Sequence, residues 1–147
     1  MTMRQVSAMV IVIVLGACTL LFVMHSTSAD EAVARFAADV DTKKGFLADI
    51  ESLRTLMKSI GPILAQDRAI AILPNDSRTH MLFHEIGKYV YETEGEKGVA
   101  NCRPYIAGAC FHGFILEILT QKGFGGISSI VKSCRASLSH EQEMQCP

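Results

Sequence analysis

Three of the five histidines are the residues whose type and spacing best suit chemistry. His80 and His84 stand four residues apart in a segment with helical periodicity, so their side chains share one helix face. His112 lies in a second, more apolar helical segment. Imidazole nitrogens are good ligands for Zn²⁺ and Cu²⁺. The sequence therefore predicts a zinc or copper site if the two helices pack together.

Two glycines indicate how these helices would meet. Gly87 lies on the same stripe of its helix as the histidine pair, at a position where glycine costs about 1 kcal/mol relative to alanine. Gly108 precedes His112 on the same face of the second helix. Close approach of two backbones is a common reason for glycine at such positions. We expect the helices to cross near Gly87 and Gly108, which would bring His112 to the other two histidines.

Several side chains near the histidines are candidates for supporting roles. Glu85, Glu117 and Tyr91 could orient a histidine by hydrogen bonding. In a metal-dependent hydrolase, Glu85 or Glu117 could instead act as the catalytic base. The zinc-protease motif is absent, because no histidine follows Glu85 at the required spacing. Two interpretations without a metal stay open: a buried polar network that includes Tyr91 and Glu117, and a structural domain that binds a protein partner.

The N-terminus predicts export across a membrane. Residues 6–24 carry no charge and read VSAMVIVIVLGACTLLFVM. As a helix this run would span roughly 28 Å, close to the hydrocarbon thickness of a bilayer. Arg4 precedes the run, whereas Asp30 and Glu31 follow it, so the positive-inside rule places the N-terminus in the cytoplasm. The following domain is expected on the extracytoplasmic side.

Three fates of this segment are compatible with the sequence. The preferred one is an uncleaved signal anchor that spans the membrane once. Thr27-Ser28-Ala29 also offers a signal-peptidase site, and cleavage after Ala29 would release the domain. Leu15-Gly16-Ala17-Cys18 resembles a lipobox, in which Cys18 would carry a lipid, although the residues that follow stay apolar.

The charge and the cysteines of residues 30–147 indicate which partners and which cross-links the exported part can have. Residues 30–147 contain all 15 acidic residues of the chain and 13 of its 14 lysines and arginines, since only Arg4 lies before them. Their net charge is therefore −2. This balance argues against nucleic acid as a partner. Four cysteines remain, at positions 102, 110, 134 and 146, and an even number in an exported domain favours two disulfides. The pairing Cys102–Cys110 with Cys134–Cys146 closes the shortest loops and is preferred over the other two pairings and over free thiols.

Periodicity predicts an all-α fold: an N-terminal transmembrane or signal helix followed by a small helical bundle. Residues 1–29 form the signal region, 30–74 an amphipathic helical region and 75–147 the part that holds the histidines and cysteines. Helices are expected over 30–40, 43–59, 63–73, 78–94 and 106–122, with shorter ones after residue 128. Gly61-Pro62, Pro74 to Ser77 and Gly95 separate them. Strict two-residue alternation is absent, so no sheet is expected.

The histidine and cysteine motifs resemble those of a group of uncharacterised exported bacterial and archaeal proteins. The shared patterns are His80-x-x-x-His84-x-x-Gly87 and Cys110-Phe111-His112-Gly113, and the resemblance covers about residues 75–147. In that group a third motif, Gln-Cys-x-His-Gly, follows, whereas this sequence stops at Gln145-Cys146-Pro147. The resemblance implies an exported helical domain with no known activity, and it predicts that the chain is truncated.

Overall fold

The computed structural model describes residues 28–40, 45–126, 128 and 131–132. The described residues are helical and contain no strand, which confirms the all-α prediction. The elements are α1 (residues 28–40), α2 (Phe46–Ile60), α3 (Pro62–Ile72), α4 (Ser77–Glu94), a 3₁₀ helix (Gly95–Asn101), α5 (Ala109–Lys122) and a second 3₁₀ helix (Gly123–Gly126). Within these ranges no helix is both long and apolar enough to cross a bilayer. The predicted membrane segment, residues 6–24, lies outside the described residues.

Glycine, proline and aspartate divide the chain into its helices where the sequence predicts. Gly61 adopts a φ of 80°, which favours glycine, and Pro62 follows as the first residue of α3. Asp76 is the N-cap of α4, because its side chain accepts a hydrogen bond of 2.8 Å from the backbone N–H of Thr79. Gly95 ends α4. These boundaries follow from local backbone chemistry and confirm the predicted breaks.

The start of α5 differs from the prediction. The helix begins at Ala109, three residues after the expected start at Ile106. Ile106, Ala107 and Gly108 have φ angles of 50°, 54° and 71°, so the chain makes a left-handed turn before the helix begins. An L-residue in this conformation costs about 1–2 kcal/mol. Local sequence rules do not predict such a conformation for a β-branched residue like Ile106.

One hydrophobic core joins α1, α2, α3, α4 and α5. Its largest buried side chains are Phe36, Leu53, Leu56, Met57, Leu82, Phe83, Ile86, Phe111, Phe114 and Ile118. α4 contributes the face of Leu82, Phe83, Ile86 and Val90, as its periodicity predicts. α4 and α5 run in the same direction, since His112 lies beside the N-terminal half of α4 and Lys122 pairs with Glu96 just beyond its end. This packing positions the histidines.

Two buried polar side chains tie the core to its surroundings. Gln66 of α3 is fully buried, and its amide donates to Asn101 O at 2.7 Å and accepts from Arg103 N at 2.8 Å. Asp49 of α2 is 1% exposed and accepts a hydrogen bond of 2.7 Å from Nε of Arg78 at the start of α4. These contacts offset the cost of burying the Gln66 amide and one oxygen of the Asp49 carboxylate.

Replacing Arg78 with alanine is expected to lower the free energy of unfolding by about 2–3 kcal/mol, because the Asp49 carboxylate would stay buried without its cation. Urea denaturation of the full chain measures this loss. Arg35→Ala is the matched control, since Arg35 forms an exposed pair with Glu31 four residues earlier, and such pairs contribute less than about 1 kcal/mol. Equal losses in the two variants would contradict a stabilising role for the contact between Arg78 and the buried Asp49 carboxylate.

Candidate metal centre

His80, His84 and His112 lie together in the structure, as the sequence predicts. Nε2 of His84 is 3.0 Å from Nε2 of His80 across one turn of α4. The ring of His112, on α5, has its centroid 6.1 Å from that of His80 and 5.8 Å from that of His84. One nitrogen of each ring lies within 4.8 Å of the others. The three imidazoles therefore converge on a common point between the helices.

This geometry fits a small transition-metal ion. Tetrahedral zinc with metal–nitrogen bonds of about 2.0–2.1 Å holds its ligand nitrogens roughly 3.3 Å apart. The observed nitrogen separations are 3.0 Å for the His80–His84 pair and at most 4.8 Å for the group, so shifts of about 1.5 Å or less would bring the nitrogens to this spacing. Because all three donors are imidazoles, the donor set suits zinc and copper better than magnesium or calcium, which prefer oxygen.

The exposure of the rings leaves one side of the cluster open. His80 and His84 are half-buried, whereas His112 is exposed. Three protein ligands with a solvent-facing fourth position are typical of catalytic zinc sites, while structural sites have four protein ligands. Among the described residues these three histidines form the one group of His, Cys, Asp or Glu side chains placed to hold a metal ion.

The surroundings of His84 favour the neutral form of its imidazole, because they lower its pKa. Burial lowers the pKa of His84 below its ordinary value, and His80 and His112 lower this pKa further because neighbouring positive charges would repel. The negative charge of Glu85 opposes the shift but does not reverse it. Neutral imidazole is the form that binds a metal. At neutral pH, His84 is therefore ready to act as a ligand.

Two glycines bring the histidine-bearing helices together. A methyl group added at Gly87 would overlap the carbonyl oxygen of Cys110 and lie 2.5 Å from the backbone nitrogen of Phe114. A methyl group at Gly113 would overlap the carbonyl oxygen of His84 and lie 2.5 Å from its carbonyl carbon. Backbones thus touch directly where α4 and α5 cross, one residue from His112.

The crossing corrects one detail of the sequence analysis. Gly113, and not Gly108, is the glycine of α5 at the contact, where it lies against the backbone of His84 while Gly87 lies against that of Cys110 and Phe114. Gly108 instead occupies the left-handed position before Ala109, and its carbonyl accepts a hydrogen bond of 3.1 Å from the backbone N–H of His112. Its role is to allow the turn that precedes α5. Helical phase alone does not decide which of two nearby glycines lies at the contact.

Glu85, Glu117 and Tyr91 have other partners than the histidines. The Glu85 carboxylate lies 3.4 Å from the guanidinium of Arg54, and that of Glu117 accepts a 2.8 Å hydrogen bond from Gln121. The ring of Tyr91 packs edge-on against Phe114 at 5.4 Å. Among the described residues, none of the three hydrogen-bonds to His80, His84 or His112. Their roles in orienting a histidine, and those of Glu85 and Glu117 as a base, stay predictions.

A disulfide fixes the start of the helix that carries His112. Cys102 and Cys110 are bonded, with 5.4 Å between their Cα atoms, and both are fully buried. This confirms the preferred pairing for these two cysteines. The bond closes the loop that contains the left-handed turn at Ile106, Ala107 and Gly108. Cys134 and Cys146 lie outside the described residues, so their pairing stays a prediction.

A groove that was not predicted from the sequence adjoins the histidine cluster. His80 forms part of its wall, together with residues at the end of α3, the start of α4 and the loop Tyr105 to Ala107. Its volume is about 690 Å³. Ile106 and Ala107 line the groove because of the left-handed turn, and the sequence does not predict this turn. Small-molecule sites commonly have volumes of about 300–1,000 Å³.

Comparison of the chain with known protein families, with characterised proteins and with solved structures finds no significant match. The interpretation of the site therefore rests on its own geometry.

Proposed function

We propose that this protein binds a transition-metal ion, Zn²⁺ or Cu²⁺, through His80, His84 and His112, in a helical domain that a signal anchor holds on the extracytoplasmic side of a membrane. The observation that carries the proposal is the convergence of three imidazole nitrogens within 4.8 Å of one another. The apolar run of residues 6–24 supports the anchor. The Cys102–Cys110 disulfide supports an oxidising compartment.

Metal titration of the full chain tests the proposal. Chelator-treated protein is expected to take up one equivalent of zinc at pH 7.5, in competition with a chromophoric chelator, and elemental analysis of the purified protein should find bound metal. Binding to the folded state should raise stability by about 2.7 kcal/mol when free zinc is 100 times the dissociation constant. Affinity should fall at pH 5.5, because protons compete for the imidazoles. Absence of stoichiometric binding together with unchanged stability would contradict the proposal.

A metal-dependent hydrolase is the second candidate function. Two observations favour it: the exposure of His112, which leaves a coordination position facing solvent, and the groove beside His80. Zinc held by His80, His84 and His112 would supply the Lewis acidity that activates a water for attack on a carbonyl group. Hydrolysis of a simple activated ester by the zinc-loaded chain, and not by the chelated chain, would support this candidate. Equal rates of ester hydrolysis by the zinc-loaded and the chelated chain would contradict the hydrolase and favour a domain that only binds the metal.

A further inference from the structure

The groove beside His80 has two chemically different walls. Asp76, Ser77 and His80 form a polar wall at the start of α4. Ile70 of α3, Leu73 just after this helix and Ile106 of the loop form an apolar wall. An occupant that matches both walls would need a polar head and an apolar tail. His80 belongs to both the groove and the histidine cluster. The polar head of an occupant would therefore lie at the His80 end of the groove, and the apolar tail at the other end.

The apolar wall is kept at a conformational cost. Ile106 adopts a left-handed φ of 50°, although glycine or asparagine would suit this conformation better. Its side chain is only partly buried against the core. The disulfide between Cys102 and Cys110 encloses this turn and limits the other conformations of the loop. Strained non-glycine residues that their surroundings hold in place are commonly found at ligand sites.

We propose that the groove is the binding site for an amphiphilic small molecule, with an oxygen-donor head that ligates the metal and an aliphatic tail that lies against Ile70, Leu73 and Ile106. This inference rests on the proposed metal site. Three protein ligands leave a fourth position for the head, and His80 lies both in the cluster and in the wall of the groove. The volume of about 690 Å³ accommodates a short acyl chain.

Hydroxamates of different chain length test the groove. The full chain is loaded with Co²⁺, whose visible absorption changes when the open coordination position is filled, and is titrated with acetohydroxamate and with hexanohydroxamate. Hexanohydroxamate is expected to bind at least about tenfold more tightly, because each buried methylene contributes favourably. In Ile106→Asn, this preference should shrink to about twofold or less, while acetohydroxamate affinity stays unchanged. Asparagine tolerates the left-handed conformation, so this variant is expected to fold.

Ile63→Asn is the matched control, since Ile63 is an exposed isoleucine of α3 that does not line the groove. It should keep the full preference for the longer chain. Ile70→Asn, on the α3 side of the groove, provides a second test if Ile106→Asn fails to bind Co²⁺. Failure of the unmodified chain to bind Co²⁺ would overturn the metal site itself. Binding of Co²⁺ with equal affinity for the two hydroxamates would overturn the groove assignment alone.

Discussion

Replacing Gly87 with alanine is expected to destabilise the protein by about 3 kcal/mol, because the new methyl group overlaps backbone atoms of α5 rather than a flexible side chain. The overlap with Cys110 O can be relieved only if α4 and α5 move apart. Such a movement would open the core around Phe83 and Phe114, which are buried on either side of the crossing. It would also draw His112 away from the α4 histidines. Urea denaturation measures the stability, and zinc titration measures the state of the site.

Gly125→Ala is the control for this substitution. Gly125 lies in the 3₁₀ helix after α5, nothing lies within 4 Å of the position that its Cβ would take, and its φ is not in the left-handed region. Its replacement should change stability by less than about 1 kcal/mol and can even stabilise, since alanine restricts the unfolded chain. Gly113→Ala should resemble Gly87→Ala, because its methyl group meets the backbone of His84. If Gly87→Ala were as stable as Gly125→Ala, the direct backbone contact between α4 and α5 would be wrong.

The helices could be predicted because their signals are local. Helical spacing of Leu53, Leu56 and Met57, the Gly61-Pro62 break and the cap at Asp76 each act within a few residues. Burial along a helix was less predictable. Leu47 belongs to the apolar stripe of α2 in the sequence, yet it is 82% exposed, whereas Asp49 in the same turn is 1% exposed. Whether an apolar position is covered depends on tertiary packing and not on periodicity.

The site could be predicted in part for the same reason. Spacing alone places His80 and His84 on one face, and the glycines indicate a close helix crossing. The groove could not be predicted, because it depends on the left-handed turn at Ile106 and Ala107, which local rules disfavour. Gln66 was missed as well, since its hydrogen bonds reach residues 35 and 37 positions away. Contacts across such distances follow from the fold as a whole.

Replacing His84 with alanine is expected to weaken zinc binding by at least about a hundredfold, because one of three metal–nitrogen bonds is lost. His84 is the most informative of the three, since it lies 3.0 Å from the His80 nitrogen and its ring also faces His112. Zinc affinity of the full chain, measured by chelator competition, checks the result. Met81→Ala changes a half-exposed side chain on the same turn of α4 without removing a ligand, and it should retain affinity.

The effect of zinc on the stability of the unmodified chain and of the His84→Ala variant separates a metal site from a metal-free polar network. In a network, the hydrogen bond between His80 and His84 would itself stabilise the fold, so its loss should cost about 1 kcal/mol and zinc should have no effect on the unmodified chain. In a metal site, the loss of the same contact between His80 and His84 is joined by a second effect. Zinc stabilises the unmodified chain, and His84→Ala removes most of this stabilisation. Undiminished zinc affinity in this variant would contradict His84 as a ligand and place the metal elsewhere in the chain.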